Sequence, residues 1–299
     1  MKTITYSYRG ITPPMTNKYT LFILDNDECL GSFGFLSLFH SYIVDTLCMK
    51  RQWKLNDPQR APLDDLFTKF GADMLGLGFA RPFLKDFFKM LRKLKEQDPH
   101  VRVIMYTSAP RYAVANERYY TDWLIALKEM LEAYIGFPIY DLTHSGRTDE
   151  TKRRESADGA TLKDVRVILD RLHISNDHVK GVLFLDDRPH NIADWEEKKF
   201  LRLGMKAYHC MPLKASLAKV CAKYDDAFRR LGCDYVPTTV LMNEYRESHA
   251  EIREDNRGRT NARCSDDDSV SQSDFRTLLG TFLKKTSHRP AAPRQPKTT

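Results

Sequence analysis

Between Lys18 and Leu24 the chain is almost wholly apolar, with Tyr19, Leu21, Phe22, Ile23 and Leu24, and the run ends abruptly in Asp25-Asn26-Asp27-Glu28. A continuous apolar run of this length lacks the alternation of a strand with one wet face. It fits a strand covered on both sides, the usual state in a parallel sheet. The pattern recurs twice. Val101 to Tyr106 (VRVIMY) stops at Thr107-Ser108, and Gly181 to Leu185 (GVLFL), with a start as early as Val179, stops at Asp186-Asp187. Ile139 to Leu142 and Ala207 to Met211 are shorter strand candidates.

Helical spacing fills the intervals. Pro82 precedes Leu84, Phe87, Phe88, Leu91 and Leu94, and similar apolar stripes run through Trp123 to Tyr134, Leu162 to Leu172 and Leu213 to Tyr224. Strands alternating with helices predict an α/β fold, a doubly wound, mostly parallel, Rossmann-like sheet with helices on both faces. The stretch from about residue 32 to 77 holds more helix than one crossover needs. It reads either as a small helical cap inserted beside the site or as additional core helix. The expected organisation is an N-terminal extension over residues 1–17, a core over 18–245 and a tail over 246–299. The tail, rich in Arg, Asp, Ser and Pro, is expected to be disordered because it has little apolar surface to offset chain entropy. Within it only Phe275 to Leu283 is apolar enough to dock on the domain or fold on a partner.

The 299 residues are 42% hydrophobic and 29% charged, which is enough for a sizeable core. A formal charge of +7 permits anionic partners, but there is no stripe of basic residues interleaved with aromatics, so nucleic acid is permitted and not favoured. None of Cys29, Cys48, Cys210, Cys221, Cys233 and Cys264 falls in a C-x-x-C pair, and the Cys and His residues lack zinc spacing. With no apolar signal segment and no membrane-length run, the expectation is an intracellular protein, cytoplasmic or nuclear, with no membrane partner.

In an open parallel sheet, ligands sit beyond the carboxyl ends of the strands. Asp25, Asp27, Thr107, Asp186 and Asp187 would therefore converge on one crevice. Carboxylates crowded together repel and require a cation, and hard oxygen ligands select Mg²⁺. Phosphate esters are the matching substrate class, because a metal bridges protein and phosphate oxygens.

Four segments carry a resemblance. LFILDNDECLG, VIMYTSAPRYA, GATLKD and VLFLDDRPHNI resemble, in order, the four motifs of haloacid dehalogenase (HAD) superfamily phosphatases. With FARPFLKDFFKML added, the sequence looks closest to the FCP/SCP-like (NIF-like) branch, which dephosphorylates the C-terminal domain of RNA polymerase II. The resemblance spans roughly residues 18 to 213. It implies Asp25 as nucleophile, forming an aspartyl-phosphate, and Asp27 as general acid and base. It implies phosphate binding by Thr107, Ser108 and Lys163, with Lys152 a rival for the lysine role. Magnesium would be held by Asp25, by the Asp27 backbone carbonyl and by Asp186 or Asp187. Cys29 stands where the family commonly has Thr, and reads as a small buried residue more naturally than as a reactive thiol. Lys152, Arg153 and Arg154 form a basic run suited to an anionic substrate or to a solvated loop, and His190 reads as a loop residue.

The leading expectation is a phosphomonoester phosphatase acting on a phosphorylated substrate, protein or small molecule. The alternatives are a nucleotide or nucleic-acid end phosphatase, and a binding protein on a catalytically degenerate scaffold of the same fold.

Overall fold

The computed structural model describes residues 18–54, 57–107, 117–145, 162–195, 199–205, 207–208, 212–245, 280 and 282. Five strands form one sheet: β1 (Tyr19–Leu24), β2 (Val101–Thr107), β3 (Leu142–Ser145), β4 (Val179–Asp186) and β5 (Phe200–Gly204). Their order is β3-β2-β1-β4-β5 and every pairing is parallel. The α/β, Rossmann-like class expected from the sequence is the one observed.

Alternation along the central strands divides the core in two, because successive side chains point to opposite faces. Phe22, Leu24, Val103, Met105, Leu183 and Leu185 face a thick layer made by α1 (Gly34–Ile43), α2 (Ala61–Met74), α3 (Leu84–Gln97), α4 (Glu117–Ile135) and α6 (Lys214–Arg230). Leu21, Ile23, Ile104, Tyr106, Val182 and Phe184 face α5 (Val165–Arg171). The crossovers from β1 to β2 and from β2 to β3 thus use one face, and that from β3 to β4 uses the other. Helices cover both faces, as expected, but unequally.

Residues 32–77 resolve the choice between cap and core. Phe33, Leu36, Phe39, Leu63, Phe67 and Phe70 are buried in the same cluster as Phe22 and Leu24. Phe39 meets Phe70 and Phe228 edge-on, with ring centroids 5.4 and 5.2 Å apart. The expected cap is therefore corrected to an added helical layer on the sheet. Each buried phenylalanine contributes roughly 1.5–3 kcal/mol, so a stripe this aromatic belongs in the core. A buried ion pair fastens the layer: Arg60, at the start of α2, donates to Asp122 of α4 and to Asp64, both at 2.9 Å.

Two strand expectations are also corrected. β3 begins at Leu142 instead of Ile139, because the amides of Ile139 and Tyr140 donate to the Glu132 carboxylate of α4 and are taken out of the sheet. The last strand is Phe200–Gly204, and residues 207 and 208 are not strand; 209–211 lie outside the described residues. β5 is an edge strand, half-buried and broken by Arg202, so it lacks the apolar run that marks an interior strand.

The tail contributes to the core. Phe282 is buried and packs edge-on against Phe22 of β1 at 5.9 Å, which at that residue is the docking on the domain that the Phe275 to Leu283 patch allowed. Apart from residues 280 and 282, residues 246–299 lie outside the described residues, as do residues 1–17. Among the described residues no helix is long and apolar enough to cross a membrane. Cys29, Cys48, Cys221 and Cys233 are buried free thiols, and Cys210 and Cys264 fall outside the described residues.

Candidate active site

The strand order reverses between β1 and β4: β2 and β3 lie to one side, and β5 to the other. Crossovers leave that point on opposite faces, so a crevice opens beyond the carboxyl ends of these two strands. The next residue after β1 is Asp25, and β4 ends on Asp186. Asp25 is still held in register, its amide donating to the Leu185 carbonyl at 2.8 Å. By alternation, Asp25 and Asp186 point to the same side as Ile23 and Phe184, toward α5.

Lys163 comes from that side. It sits just before α5, where Asp164 caps the helix by accepting from the Arg166 amide at 2.9 Å. The Lys163 backbone is clamped in a parallel bridge, donating to the Asn191 carbonyl at 2.7 Å and accepting from the Ala193 amide at 2.9 Å. Its ammonium donates to Asp186 Oδ2 at 2.7 Å and stands 3.0 Å from Asp25 Oδ1. The second contact is an ion pair without hydrogen-bond alignment, which leaves Asp25 Oδ1 buried with no hydrogen-bond partner. Burial opposes the charge on Lys163, but the attraction of Asp25 and Asp186 outweighs it and holds the ammonium above the usual lysine range.

Asp187 completes an acidic trio. One carboxylate oxygen from each of Asp25, Asp186 and Asp187 lies within 4.8 Å of the others. Burial raises all three carboxyls from the usual range; Lys163 opposes the rise at Asp25 and Asp186, and the Asp186 charge adds to it at Asp187. Three hard carboxylate oxygens crowded together, more negative charge than the one buried ammonium offsets, fit a small divalent cation.

The turn after β1 carries Asp27. The Asn26 carbonyl accepts from the amides of Leu30 and Gly31 at 2.8 and 3.3 Å, and the Glu28 amide donates to Gly31 O at 2.7 Å. Asp27 Oδ1 accepts from the Phe33 amide at 3.0 Å, so its carboxylate is anchored to the start of α1 and stands outside the trio. Gly31 is required by close approach: a Cβ there would lie 2.5 Å from the Phe79 carbonyl oxygen. Glu28 adopts a left-handed backbone, φ 60°, and its carboxylate meets the Arg188 guanidinium at 3.3 Å.

The structure thus brings together Asp25, Lys163, Asp186 and Asp187, with Asp27 on the adjoining turn. Thr107 ends β2 at the same sheet edge, buried, in register with Ser145 of β3. Alternation groups it with Val103 and Met105, on the face opposite to that of Asp25. Ser108, Lys152, Arg153 and Arg154 lie outside the described residues. His190 is exposed in a short helical turn after β4. Cys29 is fully buried, and burial, with Asp25 and Asp186 nearby, pushes its thiol well up, as suits an unreactive residue. Sequence reasoning did not assign Arg81, Tyr208, Glu28 or Arg188 to this region; the Arg-Pro pair in FARPFL was the available signal for the first.

Together these features define the class: an α/β protein with a parallel sheet and a lysine-bridged acid cluster at its topological switch point. Compared with known protein families and with curated proteins, the chain matches none.

Proposed function

We propose that this protein is a magnesium-dependent phosphomonoester hydrolase in which Asp25 is the nucleophile. The observation that carries the reading is the Lys163 ammonium held between Asp25 and Asp186, with Asp187 completing a set of oxygens within 4.8 Å. The motif resemblance to HAD phosphatases also supports it, because Asp25, Thr107, Asp186 and Asp187 fall at the carboxyl ends of β1, β2 and β4, and Lys163 reaches the same end from the start of α5.

Asp25, Asp186 and Asp187 would hold Mg²⁺. When bound, the ion neutralises the phosphoryl oxygens and lets a carboxylate approach phosphorus. Asp25 attacks phosphorus: an Asp25 oxygen–phosphorus bond forms and the bond to the leaving oxygen breaks, while Asp27 delivers a proton to that oxygen. Asp27 then takes a proton from water, whose oxygen attacks phosphorus and breaks the aspartyl-phosphate bond, releasing inorganic phosphate and restoring Asp25. Lys163 orients the nucleophile and, as a compact point charge, offsets the negative charge gathered there. The 32–77 helices are committed to the core, so they do not provide a cover for the crevice. That favours a phosphorylated protein over a small metabolite, in a cytoplasmic or nuclear setting.

The test is hydrolysis of an aryl phosphate by the full chain. Turnover is expected with MgCl₂, abolished by EDTA and by Asp25→Asn. Undiminished turnover in Asp25→Asn would remove the basis of the reading. A panel of phosphopeptides, nucleotides and end-phosphorylated DNA then sorts the substrates.

A further inference from the structure

The turn that carries Asp27 is braced from behind by a buried cation. Arg81 is 1% exposed, yet it lies between the 75–79 helical turn and α3, well along the chain from the nucleophile. Its Nε donates to the Cys29 carbonyl at 2.5 Å and a terminal nitrogen donates to the Glu28 carbonyl at 3.3 Å. Its own amide donates to the Leu30 carbonyl at 3.1 Å. The guanidinium carbon lies over the Tyr208 ring, 4.9 Å from its centroid. Tyr208 is tied to the same turn: its amide donates to the Glu28 carbonyl at 2.7 Å, and its hydroxyl donates to the Gly78 carbonyl at 2.7 Å.

Burying a guanidinium is unfavourable unless its donors are met. Here two of them are directed at consecutive carbonyls of one turn, and one of those residues, Glu28, has a left-handed backbone that side-chain-bearing residues rarely adopt. Such a conformation persists only where its surroundings over-determine it. A planar fork with a stackable face does this, and a lysine ammonium does not.

We propose that Arg81, stacked on Tyr208, is a positioning residue for the nucleophile turn, fixing the direction in which Asp25 and Asp27 project through its bonds to the Glu28 and Cys29 carbonyls. This rests on the phosphatase reading and goes beyond it, since Arg81 lies beneath the turn and takes no part in the chemistry.

The experiment pairs steady-state hydrolysis of an aryl phosphate with amide hydrogen exchange on the full chain, for wild type, Arg81→Met, Arg81→Lys and Tyr208→Leu. Exchange is expected to accelerate at the amides of Glu28, Leu30 and Gly31 in Arg81→Met while β1 and β4 keep their protection. The value of kcat should fall about tenfold or more with KM little changed, as for a misplaced reacting group. Arg81→Lys should recover little, and Tyr208→Leu should show a smaller change of the same kind. If Arg81→Met does not fold, Arg81→Lys, which keeps the charge, and Tyr208→Leu carry the comparison. Unchanged exchange in the turn overturns the proposal, and so does faster exchange with kcat unchanged. Protection lost across the whole sheet, with kcat per folded molecule intact, shows a role in stability alone and overturns it as well. Wild-type protein without Mg²⁺-dependent turnover is a different result: it removes the phosphatase reading, and the positioning role with it.

Discussion

The Lys163 ammonium stands 3.0 Å from Asp25 and 2.7 Å from Asp186, so a single buried cation joins the carboxyl ends of β1 and β4. Removing it leaves two buried carboxylates facing each other without compensation. Lys163→Met should lower the stability of the metal-free protein by about 3–5 kcal/mol, the cost of breaking a buried ion pair from one side. It should also abolish turnover. Urea unfolding in EDTA measures the first effect. Added MgCl₂ should restore part of the loss by supplying charge to the same oxygens.

Asp186 and Asp187 are separable by what already engages them. Asp186 Oδ2 takes the Lys163 ammonium and Oδ1 accepts from the Arg188 amide at 2.7 Å, so both oxygens have structural work. Asp187 meets the Arg188 side chain at 3.3 Å and the Asp25 carboxylate, with no backbone amide or lysine among the described residues holding it. Asp187→Asn should therefore keep the fold but blunt the thermal stabilisation by Mg²⁺, which for a tight site is about 2.7 kcal/mol at a hundredfold excess over Kd. Asp186→Asn should instead destabilise the protein before any metal is added. Thermal unfolding of both variants with and without MgCl₂ checks this.

Acid sensitivity should trace to His40. It is buried on α1 against Phe67 and Trp123, and burial, helped by the Arg60 charge, lowers its pKa from 6.5 to about 3. The unfolded chain therefore binds a proton below pH 6.5 that the folded chain refuses. Stability is unaffected by His40 above that pH and falls as pH drops toward 3, by about 1.4 kcal/mol per unit. The difference in unfolding free energy between wild type and His40→Gln, in which the carboxyl contributions cancel, should carry this slope from pH 6 to pH 5 and be flat above pH 7.

Phe282 should matter to stability although it lies in a polar tail. Its ring packs on Phe22 in the layer between the sheet and its helices. Phe282→Ala should cost about 3–5 kcal/mol, the range for removing a buried aromatic. Thermal melts of the full-length chain with and without the substitution give the answer, and an unchanged Tm would mean the ring is not needed there.

The interior of this fold was legible because β1, β2 and β4 are buried on both faces and so read as unbroken apolar runs. The acids that follow β1 and β4 were legible for the same reason, since a charge after such a run stands out. β5 was not, because an edge strand needs no apolar run, and Ile139 and Tyr140 read as strand although Glu132 captures their amides. Helical periodicity over residues 32–77 gave the helices but not their location, because an apolar stripe fits the underside of a cap as well as the face of a sheet. Lys163 was legible only as a lysine near a helix start. Its reach to both strands depends on the bridge to Ile192, which is a tertiary pairing. Arg81 was legible only as part of the FARPFL segment, and its place beneath the turn was not, because its partners are backbone carbonyls and any residue supplies those.

The pairing of β1 with β4 has a consequence for how the protein comes into being. These neighbours are separated by most of the chain, with two other strands and most of the helices between them. Such distant contacts form slowly, after local ones. The lysine and the acids therefore meet only once β1 and β4 have paired, so the cluster is absent from an emerging or partly refolded chain and is among the last features of the fold to assemble.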